Sequence, residues 1–316
     1  MRHFHFTLIH WYLVPLIACV VWWGMLIAML ACWGAQGRPI YSFMTGHQNP
    51  VYLSDIGATN LKPLFIACAG FQGIFFVGTL LLEYVLRKKG KLQRWVLTKQ
   101  PIFSIISIVF AVIGELAILM VSIFDTKNFH AAHISMVGVF IGGIFFACLF
   151  NFFNTFIFGN EPQRLAPDHE KVVFGRGRWS NLYMVGFWGK ILWLAVAIVL
   201  AACFGYYMKH DQDSLLARFE WAICFWYGFL LILWSIDLFP LAVKNWKRRH
   251  GVATNGSRDT TPLHEDPQIR SLADTLDAPG QVHYRSHDSD MTYTRTWDQE
   301  AYPGSHPAAQ EKYNNF

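Results

Sequence analysis

The stretch WYLVPLIACVVWWGMLIAMLACW, Trp11 to Trp33, holds no charged residue and no histidine. About 20 apolar residues in helical conformation cross a hydrocarbon core of about 30 Å. A signal-peptide apolar region is shorter, about 7–15 residues. The run therefore predicts a retained membrane span. Five further runs of the same kind follow, at about Lys62 to Leu86, Ile102 to Phe124, His133 to Phe158, Leu182 to Tyr207 and Arg218 to Val243. In lipid every backbone N–H and C=O must find its partner within the protein, which a helix does by itself. The short alternating segments of a transmembrane β-barrel are absent. The expected fold is all-α and membrane-integral: a bundle of six transmembrane helices in residues 1–249, followed by a disordered acidic cytosolic tail in 250–316.

Composition agrees with this division. Only 15% of the 316 residues are charged, against about 25% in soluble domains. From Arg258 onward there are five Lys/Arg and ten Asp/Glu, leaving 21 positive against 11 negative residues in the rest, a net of +10. A basic membrane part points to anionic lipid as its partner, and no pattern in the chain suggests nucleic acid. The tail is rich in Asp, Ser, Thr, Pro and Gly and lacks the apolar periodicity a core requires. Its Ile269–Leu276 segment is expected to form at most a helical turn or two on a partner, and Thr261-Pro262 and Ser286–Ser289 are candidate phosphorylation sites. The six cysteines lie in or beside apolar runs without a CxxC pair, which argues for packing rather than a disulfide framework or zinc.

Positive charge sorts the connections. The second carries Arg87, Lys88, Lys89, Lys91, Arg94 and Lys99; the fourth carries Arg164, Lys171, Arg176 and Arg178; Lys244, Lys247, Arg248 and Arg249 follow the last span. Cytoplasmic loops keep Lys and Arg, so these connections and both termini are expected inside. Arg87, Lys88, Lys89, Lys91, Arg94, Lys247, Arg248 and Arg249 are then the expected contacts for anionic phospholipid. The sequon Asn255-Gly256-Ser257 lies on the same side, away from glycosylation.

Charges within the apolar runs require partners, because each costs about 2.5–3.5 kcal/mol on insertion scales. Glu83 lies one turn before Arg87, the spacing of a helical ion pair. Lys190 and Asp237, on consecutive antiparallel spans near the inner side, are expected to pair. Glu115, near the middle of the third span, requires either Lys190 or a proton of its own. Gly138 and Gly142 form a GxxxG, with Gly143 beside it, and allow close helix packing. Asn151 and Asn154 are placed to hydrogen-bond to neighbouring helices.

Two segments on the expected outer face carry the remaining chemistry: Tyr52-Leu53-Ser54-Asp55-Ile56-Gly57-Ala58-Thr59, and Phe124-Asp125-Thr126-Lys127-Asn128-Phe129-His130-Ala131-Ala132-His133. Asp125 ends a helix, where a carboxylate opposes the macrodipole unless compensated. His130 and His133, spaced i,i+3, are the expected source of compensation. Asp55 suits the cap of the second span and Gly57 a tight turn. Three readings are open: a polar knot joining the loops, a lipid-headgroup contact, and a metal site from Asp125, His130 and His133. The last lacks any recognised ligand spacing. No catalytic residue or cofactor is assigned. The chain shows no GxSxG and no His–Cys pairing, and His130 with Asp125 is the sole acid–base candidate.

These two segments, a Ser-Asp-x-Gly loop after span one and a Phe-Asp-x4-His-x2-His junction after span three, resemble the Frag/DRAM/Sfk family of six-span eukaryotic membrane proteins over about residues 8–245. The resemblance covers Asp55, Gly57, Asp125, His130 and His133 and implies no established catalytic role. It implies one of three functions: remodelling of GPI-anchor lipid in the secretory pathway, autophagy modulation at the lysosome or vacuole, or the fungal Sfk role. The last is linked to phosphatidylinositol 4-kinase and lipid asymmetry at the plasma membrane. The basic loops and long acidic tail are most similar to the fungal Sfk type. The expectation is a non-enzymatic regulator of lipid homeostasis whose tail engages a lipid kinase or adaptor.

Overall fold

The computed structural model describes residues 10–44, 46–165, 177–210 and 212–249, with side chains as far as Trp246. The described residues form seven α-helices and no strand: α1 (Leu13–Ala35), α2 (Leu53–Gly57), α3 (Lys62–Lys88), α4 (Gln100–Ile123), α5 (His130–Asn160), α6 (Leu182–Lys209) and α7 (Asp213–Arg249), with a 3-10 turn at Pro162–Arg164. All but α2 are long and apolar enough to cross a membrane. The protein is an all-helical, multi-pass membrane protein. The expectations for the tail from residue 250 onward, and for Lys171 and Arg176, fall outside the described residues. So do the side chains of Lys247, Arg248 and Arg249.

Five of the six spanning helices are longer than their apolar runs, and α1 keeps the length of its run, displaced by two residues. α7 starts five residues before Arg218 and continues through Pro240 to the basic stretch at its end. Pro63 and Pro101 sit in the first turns of α3 and α4, where a missing N–H is no loss. The short α2 was unexpected: Tyr52–Thr59 reads as a loop, but one helical turn buries all of Leu53, Ser54, Asp55, Ile56 and Gly57.

Each span packs against its sequence neighbours, and α7 returns to α1, so the six form a closed ring. The seam between α1 and α7 is stitched by indoles. Trp22 Nε1 donates to Cys224 O at 2.8 Å and Trp23 Nε1 to Phe225 O at 3.0 Å. Trp22, Phe76, Leu230 and Trp234 fill the interior, all almost fully buried. A second indole pair joins α6 and α7: Trp193 Nε1 donates to Trp226 O at 2.9 Å, and Trp226 Nε1 to Trp193 O at 3.0 Å. Indole N–H groups in hydrocarbon need such acceptors.

The close contact between α4 and α5 departs from the GxxxG reading. Nothing lies within 4 Å of a Cβ built on Gly138 or Gly142, whereas one on Gly143 would sit 2.8 Å from the Cα and N of Gly114. Gly143 is the helix-contact residue, because it alone of the three faces the α4 backbone. Ser107 Oγ reinforces this seam by donating to Ala147 O at 2.7 Å. Overpacking costs about 1–3 kcal/mol, so Gly143→Ala should lower the unfolding temperature in detergent. Gly138→Ala and Gly142→Ala should change stability by less than about 0.5 kcal/mol. Equal losses at all three positions would contradict this packing.

Candidate functional site

Polar side chains gather at both ends of the ring and at one point between. At the end where α1 begins and α7 finishes, called here the terminal end, the network centres on Lys190. This lysine of α6 is 0% exposed. Its Nζ donates to Asp237 Oδ2 on α7 at 2.5 Å, and to Asn151 Oδ1 and Thr155 Oγ1 on α5 at 3.1 and 2.8 Å. Asn151 Oδ1 also accepts from Trp234 Nε1 at 3.1 Å, and Asn151 Nδ2 reaches Glu83 Oε2 at 3.4 Å. Glu83 in turn pairs with Arg87 Nη2 at 2.8 Å. Two cations and two carboxylates thus meet inside four helices.

Arg87 belongs to this network, which corrects its expected place among the anionic-lipid contacts. Its side chain is 4% exposed. It donates to Glu83 and to Gln93 O, and its guanidinium lies 4.4 Å from the Phe158 ring centre. A carboxylate one turn back and an aromatic face provide a better environment than the surface. By contrast Lys88, Lys89, Lys91 and Arg94 are exposed.

Midway along the ring, Gln72 Nε2 donates to Tyr227 Oη at 2.7 Å and Tyr227 Oη to Glu115 Oε1 at 2.5 Å. This chain joins α3, α7 and α4. Glu115 therefore meets a phenol, not Lys190, because Asp237 and the α5 side chains already hold the lysine. Tyr227 was hidden from sequence reasoning by its aromatic surroundings.

At the far end Asp55 and Asp125 each anchor a loop. Asp55 Oδ2 accepts from Gln48 Nε2 at 2.9 Å and Asp55 Oδ1 from Thr126 Oγ1 at 3.2 Å. It joins the loop before α2 to the α4–α5 connection rather than capping α3. Burial raises the Asp55 carboxyl above its ordinary value, against the lowering effect of these bonds. Asp125 Oδ2 accepts from Lys62 Nζ at 2.6 Å, and Asp125 Oδ1 from the backbone and side-chain amides of Asn128. Burial acts to raise this carboxyl too, but the bonds from Lys62 and Asn128 prevail and hold it below the ordinary value.

The compensation expected from the histidines comes from elsewhere. His133 Nδ1 lies 3.0 Å from Val121 O and 2.7 Å from Phe124 O, so it satisfies free carbonyls at the end of α4. His130 is exposed. Asp125, His130 and His133 do not converge, and among the described residues no cluster of three His, Cys, Asp or Glu suits a metal. Gly57 packs its Cα side on the Phe65 ring, where a Cβ would lie 2.5 Å away; close approach, not a positive φ, requires glycine there.

Residues 10–241 match the family described as the Frag1/DRAM/Sfk1/Cwh43P N-terminal domain. The chain belongs to this family. It is 34% identical to protein SFK1 of Saccharomyces cerevisiae over 278 residues, 72% of this chain and 78% of the relative. It is 27% identical to protein sfk1 of Schizosaccharomyces pombe over 232 residues, 72% of this chain and 63% of the relative. No solved structure matches. The fungal Sfk type is thus the branch that this family member resembles.

Four residues of the far end escaped the sequence reading: Gln48, Lys62, Thr126 and Glu220. In sequence Lys62 marks only the start of the second apolar run, and Glu220 lies inside the sixth beside Arg218. Its Oε2 accepts from Leu53 N at 3.1 Å, so a residue of α7 caps α2.

Two expectations follow for this family member. Removing one partner of a buried ion pair costs about 3–5 kcal/mol, whereas replacing both with apolar groups is often neutral. Lys190→Met should destabilise by that amount, and Lys190→Met combined with Asp237→Leu should recover most of it in thermal unfolding. Additive losses would refute the coupling. The two far-end carboxylates should respond to pH in opposite senses. The folded-state value of Asp125 lies below its unfolded one, so its contribution is full above about 3.8 and fades as pH falls through the folded value. For Asp55 the order reverses: its titration favours the fold below about 3.8 and that benefit fades as pH rises through the raised value. At pH 7, Asp125→Asn should cost about 2 kcal/mol, whereas Asp55→Asn should cost much less. Equal losses for the two variants at pH 7 would show the assignment to be wrong.

Proposed function

We propose that the protein is a non-enzymatic regulator of lipid homeostasis at the plasma membrane, with both termini cytosolic and anionic phospholipid held at its terminal end. The observation that carries this reading is the exposed cluster Lys88, Lys89, Lys91 and Arg94 where α3 meets its loop. The buried Arg87 beside it is neutralised by Glu83, so the two groups of basic residues are sorted between structure and surface. The positive-inside bias directs this end to the cytosol. Each well-placed cation there contributes about 1 kcal/mol towards an anionic leaflet.

Phosphoinositide is the proposed headgroup class. Similarity to the two fungal Sfk proteins supports it, through the role implied for that type in phosphatidylinositol 4-kinase signalling and phospholipid asymmetry. The acidic tail is the proposed landing site for a lipid kinase or adaptor. Lys190, Asp237, Asp55, Asp125 and the Nδ1 of His133 hold helices and loops together.

The test is lipid enrichment around the protein in nanodiscs that contain phosphatidylinositol 4-phosphate within phosphatidylcholine. Changing Lys88, Lys89, Lys91 and Arg94 together to Gln should reduce enrichment at least about tenfold, since even half of about 4 kcal/mol exceeds one decade. Unchanged enrichment with an intact fold would remove the lipid-contact part. Imaging at native expression should show a cell-surface signal; a Golgi or vacuolar signal would move the protein to the GPI-remodelling or autophagy branch.

A further inference from the structure

The far halves of α5, α6 and α7 are less tightly joined than the terminal halves. The buried residues of α6 end at Trp193, where the reciprocal indole bonds tie it to α7. Beyond that brace the helices leave a cavity of about 100 Å³, partly open and almost wholly apolar, with Ala197 and Ala201 on its α6 side. A second cavity, of about 60 Å³, continues it towards the far end; Phe140, Ile141 and Ile223 line both. Ser54, His133 and Glu220 are the polar residues of this upper cavity, and neither cavity is lined by Lys or Arg.

His133 gives the upper cavity its chemistry. The residue is 3% exposed. Both partners of its Nδ1 are carbonyl oxygens, so Nδ1 is the donor. In the neutral ring Nε2 is then an acceptor, and it has no partner among the described residues. Glu220 lines the same space with its carboxyl already engaged by Leu53 N of α2. A single free acceptor, His133 Nε2, selects a donor, and the lack of any lining Lys or Arg disfavours a phosphate. Its apolar continuation, at hydrocarbon depth, suits a chain or ring body rather than a water-soluble molecule.

We infer that the groove between α5, α6 and α7 binds a neutral lipid alcohol, its hydroxyl donating to His133 Nε2 and its apolar body lying down to the Trp193–Trp226 brace. The site stands apart from the proposed inner-face contacts, so loss of phosphoinositide enrichment would leave it unaffected.

The test uses the full chain in phosphatidylcholine nanodiscs with a photoactivatable diacylglycerol. Labelling should be saturable, map to α5 and α7, and be displaced by excess diacylglycerol or ceramide but not by added phosphatidylcholine. The relative strength of the two competitors identifies the preferred alcohol. His133→Asn keeps an amide donor near the Val121 and Phe124 carbonyls while removing the Nε2 acceptor, and should reduce labelling about tenfold. Ala197→Phe fills the lower cavity and should reduce it comparably with the melting temperature nearly unchanged. Non-saturable labelling, equal displacement by phosphatidylcholine, or full labelling of both folded variants would overturn the site. If His133→Asn does not fold, Ala197→Phe and the labelled positions in the unaltered protein decide; if neither variant folds, label on any other face overturns it.

Discussion

An ammonium group in hydrocarbon has to be surrounded, and Lys190 is surrounded by α5 and α7 at once. Asp237 supplies the opposing charge, while Asn151 and Thr155 accept its other protons. The ion pair alone would be a weak argument for stability, since desolvating both charges costs about as much as their attraction returns. What the pair enforces is register. The three acceptors come from fixed turns of two helices, so a slide of either by one residue leaves a buried charge without a partner. Asn151 extends the same constraint to α3 through Glu83 and to the core through Trp234. Because a misregistered bundle would strand several polar groups together, the terminal halves of these four helices are held as a unit.

The far end uses a different device. There the polar contacts join loops, helix ends and the short α2, and Asp55, Asp125 and Glu220 each bind segments distant in sequence. Trp221 adds a bond from its indole to Val51 O at 2.9 Å. These contacts fasten the segment before α3 onto α7 and onto the α4–α5 connection, but they leave α6 out. The consequence is an asymmetric ring: α6 is secured at its terminal half and at the Trp193 brace, and only thinly covered beyond.

The parts that sequence reveals are those set by solvent. Six apolar runs in a chain with so little charge leave one architecture, and the positions of Lys190 and Asp237 on antiparallel neighbours indicate that they meet. Glu83 and Arg87 are likewise readable from helical spacing. The parts it conceals depend on which face of a helix turns inward. Arg87 looks like its neighbours Lys88 and Lys89 in sequence, yet a 100° step per residue sends it towards Phe158 and them outward. Gly138 and Gly142 form the recognisable motif, but the adjacent Gly143 meets Gly114. His133 stands in a motif with Asp125 and serves the carbonyls of α4 instead. In each case the residue type was informative and its rotation about the helix axis was not.

Rotation also separates a buried basic residue from its exposed neighbours. A cation next to a carboxylate and an aromatic ring loses its reach to lipid but gains a fixed place, as Arg87 does. Past the last turn, beyond the positive-φ Gly90, the inward positions are taken by Leu92 and Gln93, and Lys91 is exposed. Gly90 ends α3 and turns the chain back at once, so that Leu92 packs on Leu86, Leu238 and Leu241 while Lys89 and Lys91 on either side of the turn stay exposed. Within α3 the helical step divides the buried Arg87 from the exposed Lys88, and beyond the turn the same division recurs residue by residue, with Leu92 and Gln93 turned inward between the exposed Lys91 and Arg94.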